Sequence, residues 1–182
     1  HHVVATVAVH VPRPANRSPE LGVFRGALER PGGSGRGTAG AAEVDPRRAA
    51  GEGVRAHDHV REVVAVLNRL LEAELAGVVR YTHYSFLVFG FSRIPVVSWL
   101  REQANESLLH AQQVGEWITT LGAYPSLAIG PLLDSHKYDI GAMLRESLDT
   151  ELSALAQYHE LLQLVEGRSV ALEEFARQMI HA

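Results

Sequence analysis

The lengths of the links between predicted helices restrict the fold more than any other feature of this sequence. Apolar residues recur every three or four positions in four segments, which predicts helices at residues 59–90, about 96–121, about 139–166 and from Ser169 onwards. Only a few residues separate the first helix from the second and the third from the fourth. The link AYPSLAIGPLLDSHKY has sixteen residues, which is long for a connection within a bundle. The sequence therefore predicts two antiparallel helical hairpins joined by one long crossover.

Residue types at the helix ends support these boundaries. Asp139 and Ser169 precede the third and fourth helices, and short polar side chains of this kind cap helix N-termini. Gly122 and Gly167 follow the second and third helices, where glycine commonly ends a helix. The fourth helix is still running at Ala182, so the sequence predicts that this helix is truncated.

Residues 1–57 differ in composition from the rest of the chain. They hold nine of the sixteen glycines, five of the eight prolines, and eight arginines against five acidic residues. No helical or strand period is visible in this segment, which predicts an irregular N-terminal extension. Residues 58–182 carry nine basic and sixteen acidic residues and contain all of the predicted bundle.

Composition excludes several classes of protein. No apolar run approaches the ~18 residues that a membrane span needs, so no membrane association is expected. The acidic balance of residues 58–182 gives no general case for nucleic-acid binding, which depends on surplus positive charge. The chain has no cysteine, so a bound metal must be held by carboxylates and imidazoles. The absence of cysteine is compatible with a cytoplasmic protein, and we expect that location.

Three predicted helices carry an acidic residue in the middle of an apolar face. These residues are Glu74 on the first helix, Glu106 on the second, where His110 joins it, and Glu151 on the third. The residues that share the three faces are Leu67, Leu70, Leu71, Val78 and Tyr81, then Trp99, Gln103, Val114, Trp117 and Leu121, and finally Leu144, Leu148, Leu155, Tyr158 and Leu162. A buried carboxylate is costly unless it is protonated, paired with a cation or bound to metal. No Arg or Lys shares these faces, so bound metal is the best explanation.

An internal repeat relates the first and third helices. The segments ELAGVVRY at 74–81 and ELSALAQY at 151–158 both begin with Glu-Leu and have Tyr seven residues after the Glu. The repeat predicts two helices related by a pseudo-two-fold axis, each with a Glu and a Tyr on one face. Taken alone, Tyr81 and Tyr158 are more typical of core packing than of a redox role.

Residues 59–182 resemble bacterioferritin and closely similar members of the ferritin-like di-iron carboxylate family. In that family two helices each give a Glu and the other two each give a Glu-x-x-His motif. The resemblance implies an all-α, ferritin-like four-helix bundle and a homo-oligomer, with a 24-subunit cage as the reference assembly. It implies that Glu74, Glu106, His110 and Glu151 bind two irons, with Glu106 and Glu151 bridging them. It also implies that Glu74, Glu151 and the neighbouring Tyr81 take part in the catalysis.

Three departures from the family pattern qualify this prediction. Ser107 stands three residues before His110, and Glu106 stands four before it, so the Glu-x-x-His motif of the second helix is altered. No such motif occurs in the fourth helix before Ala182, and the sequence predicts the missing ligands beyond that residue. The methionine expected for haem binding, two residues before the ligand histidine, is replaced by Leu108, so haem is not expected.

The resemblance implies a ferroxidase, an enzyme that oxidises Fe(II) to Fe(III), within an iron storage protein. Oxygen or peroxide is the expected electron acceptor. Two alternatives stay open from the sequence. One is a di-iron oxidase or peroxide-scavenging enzyme that stores nothing, and the other is a non-catalytic helical-bundle subunit.

Overall fold

The described residues fold into four helices without any strand. The computed structural model describes residues 46–132 and 139–181, with side chains from residue 55 onwards. The helices are α1 (Pro46–Leu87), α2 (Arg93–Thr120), α3 (Ile140–Val165) and α4 (Val170–His181). The predicted all-α architecture is confirmed, with short links after α1 and α3 and one long crossover between α2 and α3.

Helix α1 begins earlier than the sequence predicted. Its first residue is Pro46, whereas the apolar period becomes visible only at His59. Proline suits the first position of a helix because it has no amide hydrogen to leave unpaired there. The last part of the segment predicted to be irregular is therefore helical. Residues 1–45, which make up most of that predicted extension, lie outside the described residues.

The predicted helix ends are largely confirmed. The Asp139 side chain accepts a hydrogen bond of 2.8 Å from the Ala142 amide, which makes Asp139 the N-cap of α3. Helix α4 begins directly after Ser169. Gly122 and Gly167 have φ values of 75° and 68°. Both lie in the left-handed region, which glycine adopts without steric cost because it has no Cβ. Helix α2 starts at Arg93, slightly before its predicted start.

Helices α1 and α3 run antiparallel, as their paired side chains show. In these pairs, the residue numbers increase along α1 while they decrease along α3. The pairs are Arg69 with Glu160, Glu74 with Tyr158, Tyr81 with Glu151 and Tyr84 with Glu146. Arg69 Nη2 donates to both carboxylate oxygens of Glu160 at 2.7 Å on the surface.

Two apolar clusters form the core, one in each half of the bundle. The lower cluster joins all four helices, and α4 contributes Leu172, Phe175 and Ala176 to it. The upper cluster lies among α1, α2 and the start of α3, and includes Tyr81, Tyr84, Leu100 and Met143. Each large apolar side chain that is fully buried contributes about 1.5–3 kcal/mol to stability. No described residue of α4 belongs to the upper cluster.

The predicted interior face of α3 is only partly buried. Leu155 and Leu162 are half-buried beside α4, whereas Leu144 and Leu148 are exposed, which corrects their predicted position in the core. Among the described residues, those of α4 pack in the lower cluster, and neither Leu144 nor Leu148 belongs to either cluster. On α2, Trp99 is likewise more exposed than its apolar face predicted.

The crossover is attached to the outer side of α1. The Ser126 amide donates to Asn68 Oδ1 at 2.7 Å, and the Ser126 hydroxyl donates to Glu72 Oε1 at 2.5 Å. The Gly130 amide donates to the backbone oxygen of Glu72 at 2.8 Å. Among the helices described, none combines the length and apolar character needed to cross a membrane.

Candidate metal centre

One cavity in the middle of the bundle brings together all four predicted metal ligands. It has a volume of about 290 Å³ and lies among α1, α2, α3 and the last turn of α4. Its polar lining consists of Glu74, Gln103, Glu106, Ser107, His110 and Glu151. Three helices therefore each contribute an acidic residue to the lining of one cavity.

The ligands differ in burial. Glu74 is buried, with 8% of its surface exposed, and His110 is half-buried. Glu106 and Glu151 are both exposed, so the prediction of three carboxylates in a dry interior is correct for Glu74 only. Water therefore reaches Glu106 and Glu151.

Glu74 is held by partners from two other helices. Its Oε1 accepts a hydrogen bond of 2.9 Å from the hydroxyl of Tyr158 on α3. The same oxygen lies 3.5 Å from Nδ1 of His110 on α2. The close contact with Glu74 raises the pKa of His110, burial opposes this, and the nearby Glu106 and Glu151 carboxylates raise it further. Glu74 and His110 therefore form an ion pair when the imidazole is protonated, a pairing that was missed when only Arg and Lys were considered as cations.

Two tyrosines link the repeated segments crosswise. Tyr81 on α1 donates to Glu151 Oε1 on α3 at 2.5 Å, and Tyr158 on α3 donates to Glu74 on α1. Burial is the largest cause that raises the pKa of both tyrosines, and the carboxylates beside them add to the rise. Both hydroxyls therefore stay protonated and donate. The repeat predicted this symmetry, but the sequence analysis interpreted Tyr158 as a packing residue and missed its contact with Glu74.

The acidic residue of α2, Glu106, lines the cavity from an exposed position on the helix. Glu106 accepts a hydrogen bond of 3.1 Å from Gln103 on the surface of the helix. Ser107, the next residue, is buried and lines the cavity. The residue that takes the inward position three before His110 is therefore a neutral serine.

A second polar cluster lies directly above the cavity, between α1 and α3. Arg80 is buried and donates to the hydroxyl of Thr150 at 2.5 Å. Tyr84 donates to Glu146, and burial together with this hydrogen bond raises the pKa of Tyr84 to about 12. The apolar pattern does not indicate this cluster, because Arg80 lies beside the apolar stripe of α1 and not on it.

Comparison with known proteins identifies the family. A family model for the ferritin-like domain matches residues 64–182. The chain belongs to the ferritin-like family. No curated protein sequence matches it.

Three solved structures have a similar fold. A ferritin-like, di-iron carboxylate protein from Bacillus anthracis str. Ames is 23% identical, with a TM-score of 0.63 over 68% of this chain and 88% of that chain. A dodecameric thioferritin from Bacteroides fragilis, a bacterioferritin-related protein, is 22% identical, with a TM-score of 0.63 over 67% and 77%. The bacterioferritin of Desulfovibrio desulfuricans is 17% identical, with a TM-score of 0.63 over 68% and 72%. The predicted ferritin-like fold is confirmed.

The donor types of this ferritin-like site are compatible with iron. Carboxylates and an imidazole suit Fe(II) and other hard or borderline divalent ions. Within the described ranges, however, no group of three or more His, Asp and Glu side chains lies close enough to hold one ion. Glu151 is instead bound to Tyr81, and Glu106 to Gln103. The residues therefore share a cavity without yet closing around a metal ion.

Proposed function

We propose that this ferritin-like chain is a bacterioferritin-like ferroxidase that oxidises Fe(II) to Fe(III) and stores the product. The main support is the single cavity to which three helices contribute Glu74, Glu106, His110 and Glu151. Fe(II) is the substrate in this proposal. Dioxygen or peroxide accepts the one electron that each Fe(II) gives up.

The ligand chemistry favours oxidation of the bound ion. Carboxylate oxygens attract the higher charge of Fe(III) more strongly than that of Fe(II), so they stabilise the product over the substrate. Glu74 is positioned for this role by Tyr158, and Glu151 by Tyr81. His110 binds iron only as the neutral imidazole, so iron competes with a proton for this side chain.

Storage requires an assembly, and the surface of the chain supports one. Phe89 and Phe91, at the turn between α1 and α2, are exposed apolar side chains. Exposed apolar patches of this kind are typical of contacts between subunits. We therefore propose a homo-oligomeric shell. Its size, whether 24 subunits or fewer, is tested by size-exclusion chromatography with light scattering.

The ferroxidase proposal is tested by the rate of Fe(II) oxidation in air. We expect the wild-type chain to accelerate the appearance of ferric absorbance, and a Glu74→Ala/His110→Ala double variant to return the rate to that of buffer. Glu102→Gln is the matched control, because Glu102 is an exposed carboxylate on α2 outside the cavity lining. Equal rates for the wild type and the double variant would contradict the proposal.

One observation favours a second candidate, a non-catalytic helical-bundle subunit. The described residues hold no group of three or more candidate ligands at metal-binding distance. A subunit without catalysis is expected to bind well below one iron per chain after anaerobic loading and desalting. Metal analysis of the loaded protein therefore separates the two candidates.

A further inference from the structure

We propose that the apical turn (residues 86–94), which joins α1 to α2, docks this protein on an anionic lipid surface. The inference goes beyond the proposed function, because it needs no iron and assigns a partner to residues outside the lining of the cavity. The proposed shell does not depend on this turn alone, since Val79, Leu108 and Leu109 are exposed apolar side chains elsewhere on the chain. The expectation of no membrane association followed from the lack of a spanning segment, which docking on a surface does not require.

The apical turn exposes a group of large apolar side chains. Phe86, Phe89 and Ile94 expose 58%, 72% and 84% of their surface, and Phe91 is fully exposed. Because the four residues flank one turn, they lie at the same end of the bundle. Side chains at one end are able to meet a flat surface together, and aromatic rings favour the boundary between lipid and water.

The charge around the apical turn is positive within an acidic bundle. Residues 75–101 contain three arginines, one histidine and no acidic residue, whereas residues 58–182 as a whole carry nine basic and sixteen acidic residues. Acidic side chains at this end of the bundle have partners of their own. The pairs are Glu102 with Ser98, Asp139 with Arg145, and Glu146 with Tyr84. An anionic surface is therefore complementary to the turn.

The same charges disfavour a second copy of the chain as the partner. A two-fold contact places the same patch of both subunits face to face. The arginines of two apical turns would then oppose each other, and like charges across an interface weaken binding. Lipid phosphates supply the opposite charge instead.

Two arginines behind the apical turn are positioned to bind lipid phosphates. A groove of about 430 Å³ lies along the first half of α2, and its polar lining consists of Arg93, Ser98, Arg101, Glu102 and Asn105. Arg93 is held in place, because it donates to the backbone oxygen of Val88 and its guanidinium carbon lies 5.7 Å from the centre of the Phe89 ring. Two cations therefore lie directly beside the exposed aromatic side chains.

Helix geometry gives the depth of docking. Ile94 and Arg101 are seven residues apart on α2, which is about 10 Å along the helix axis. Segments that bind a membrane surface bury their apolar side chains by about 5–10 Å. With the α2 axis along the membrane normal, insertion of Ile94 and the phenylalanines brings Arg101 to the level of the phosphates. Trp99, which is 39% exposed, then enters the headgroup region.

Co-sedimentation of the iron-free protein with lipid vesicles tests this docking. We expect binding to vesicles of equimolar phosphatidylcholine and phosphatidylserine, and roughly tenfold or more weaker binding to phosphatidylcholine alone. A Phe89→Ser/Phe91→Ser double variant should lose roughly tenfold or more in affinity through lost apolar burial. Arg101→Gln should lose about fivefold. Leu127→Ser is the matched control, because Leu127 is a fully exposed apolar residue on the crossover, and its affinity should be unchanged.

The two tryptophans of the chain report the orientation. Trp99 and Trp117 are 18 residues apart on α2, which is about 27 Å. Brominated lipid should quench the fluorescence of the Trp117→Phe variant, whose remaining tryptophan is Trp99. It should leave the Trp99→Phe variant, whose remaining tryptophan is Trp117, almost unchanged.

Four results would overturn the proposal. They are no binding to either kind of vesicle, equal binding to both kinds, full binding by the double phenylalanine variant, and equal quenching of the two tryptophan variants. Light scattering of the same proteins tests the other partner. A wild type that ignores vesicles, with a double variant that dissociates into smaller species, would assign the apical turn to a subunit contact. Because iron is absent throughout, a failure of docking does not affect the ferroxidase proposal, and a failure of iron oxidation does not affect docking.

Discussion

The hydroxyl of Tyr158 on α3 donates a hydrogen bond of 2.9 Å to Glu74 on α1, inside the buried part of the bundle. This contact joins the two helical hairpins through the acidic residue at the centre of the candidate site. A buried carboxylate that loses a donor is destabilised, because less of its desolvation cost is then offset by hydrogen bonds. The strength of this contact is therefore measurable as protein stability.

We expect Tyr158→Phe to lower the free energy of unfolding by about 1–3 kcal/mol, because the change removes a donor from a buried charge and leaves the packing almost unaltered. Tyr81→Phe is the matched control. It removes the equivalent hydrogen bond to Glu151, which is exposed and can be solvated instead, so its effect should be below about 1 kcal/mol. Urea denaturation of the metal-free variants measures both values. Equal losses would contradict the difference in burial described above.

Leucines on opposite sides of α3 should respond very differently to truncation. Leu161 is fully buried in the lower cluster, so Leu161→Ala is expected to cost about 2–5 kcal/mol through lost burial and the cavity left behind. Leu148 is 58% exposed, and Leu148→Ala should change the stability of the isolated chain by no more than about 0.5 kcal/mol. Denaturation at a concentration where the chain is monomeric provides the comparison. A large effect at Leu148 under those conditions would show that this face is covered.

The start of α4 should lose stability in acid. Glu173 accepts a hydrogen bond of 3.0 Å from the Gly167 amide and another of 3.0 Å from Arg177. The Gly167 amide is the main cause that lowers the pKa of Glu173, and Arg177 lowers it further. A carboxylate with a depressed pKa in the folded state contributes stability above its unfolded pKa, and this stability is lost as the pH falls through the folded value.

We therefore expect Glu173→Gln to lower the melting temperature at neutral pH and to have no effect once the pH is below the folded pKa of Glu173. Glu174→Gln is the control, because Glu174 is its exposed neighbour, and its only described contact is a weak one with Gln178 at 3.4 Å. Thermal melts between neutral and acidic pH give the comparison. A difference that persists in strong acid would mean that the Glu173 charge is not its source.

The N-cap residue of α3, Asp139, should contribute measurably to the stability of the fold. Asp139→Ala removes the hydrogen bond to the Ala142 amide and should reduce stability by about 0.5–2 kcal/mol. Asp149→Ala, at an exposed position in the middle of the same helix, should cost far less because no helix end depends on it. Chemical denaturation measures both. Equal effects would indicate that Asp139 does not act as the cap.

Helical periodicity, the caps and the glycine stops predicted most of the fold. The helical start of α1 was missed because residues 46–58 contain two glycines and no apolar period. Their alanines, arginines and glutamate are nonetheless good helix formers. Local propensity therefore continued the helix where no hydrophobic face required it.

The candidate site was predicted less completely than the fold. Periodicity placed Glu74, Glu106, His110 and Glu151 on faces that meet at one cavity. It could not indicate that Glu106 and Glu151 are exposed among the described residues, because a sequence pattern identifies which residues share a face and not what covers that face. The contact between Glu74 and His110 depends on the rotation of α2 against α1, which a single-helix pattern does not contain.

The attachment of the crossover to α1 limits how this protein can vary. Ser126 and Gly130 are both tied to Glu72, and a side chain at Gly130 would place its first carbon 2.8 Å from the Glu72 backbone oxygen. An insertion or deletion between Ser126 and Gly130 would break the hydrogen bond of one of them with Glu72. We expect homologues to keep the spacing from Ser126 to Gly130 constant and to accept changes in loop length elsewhere.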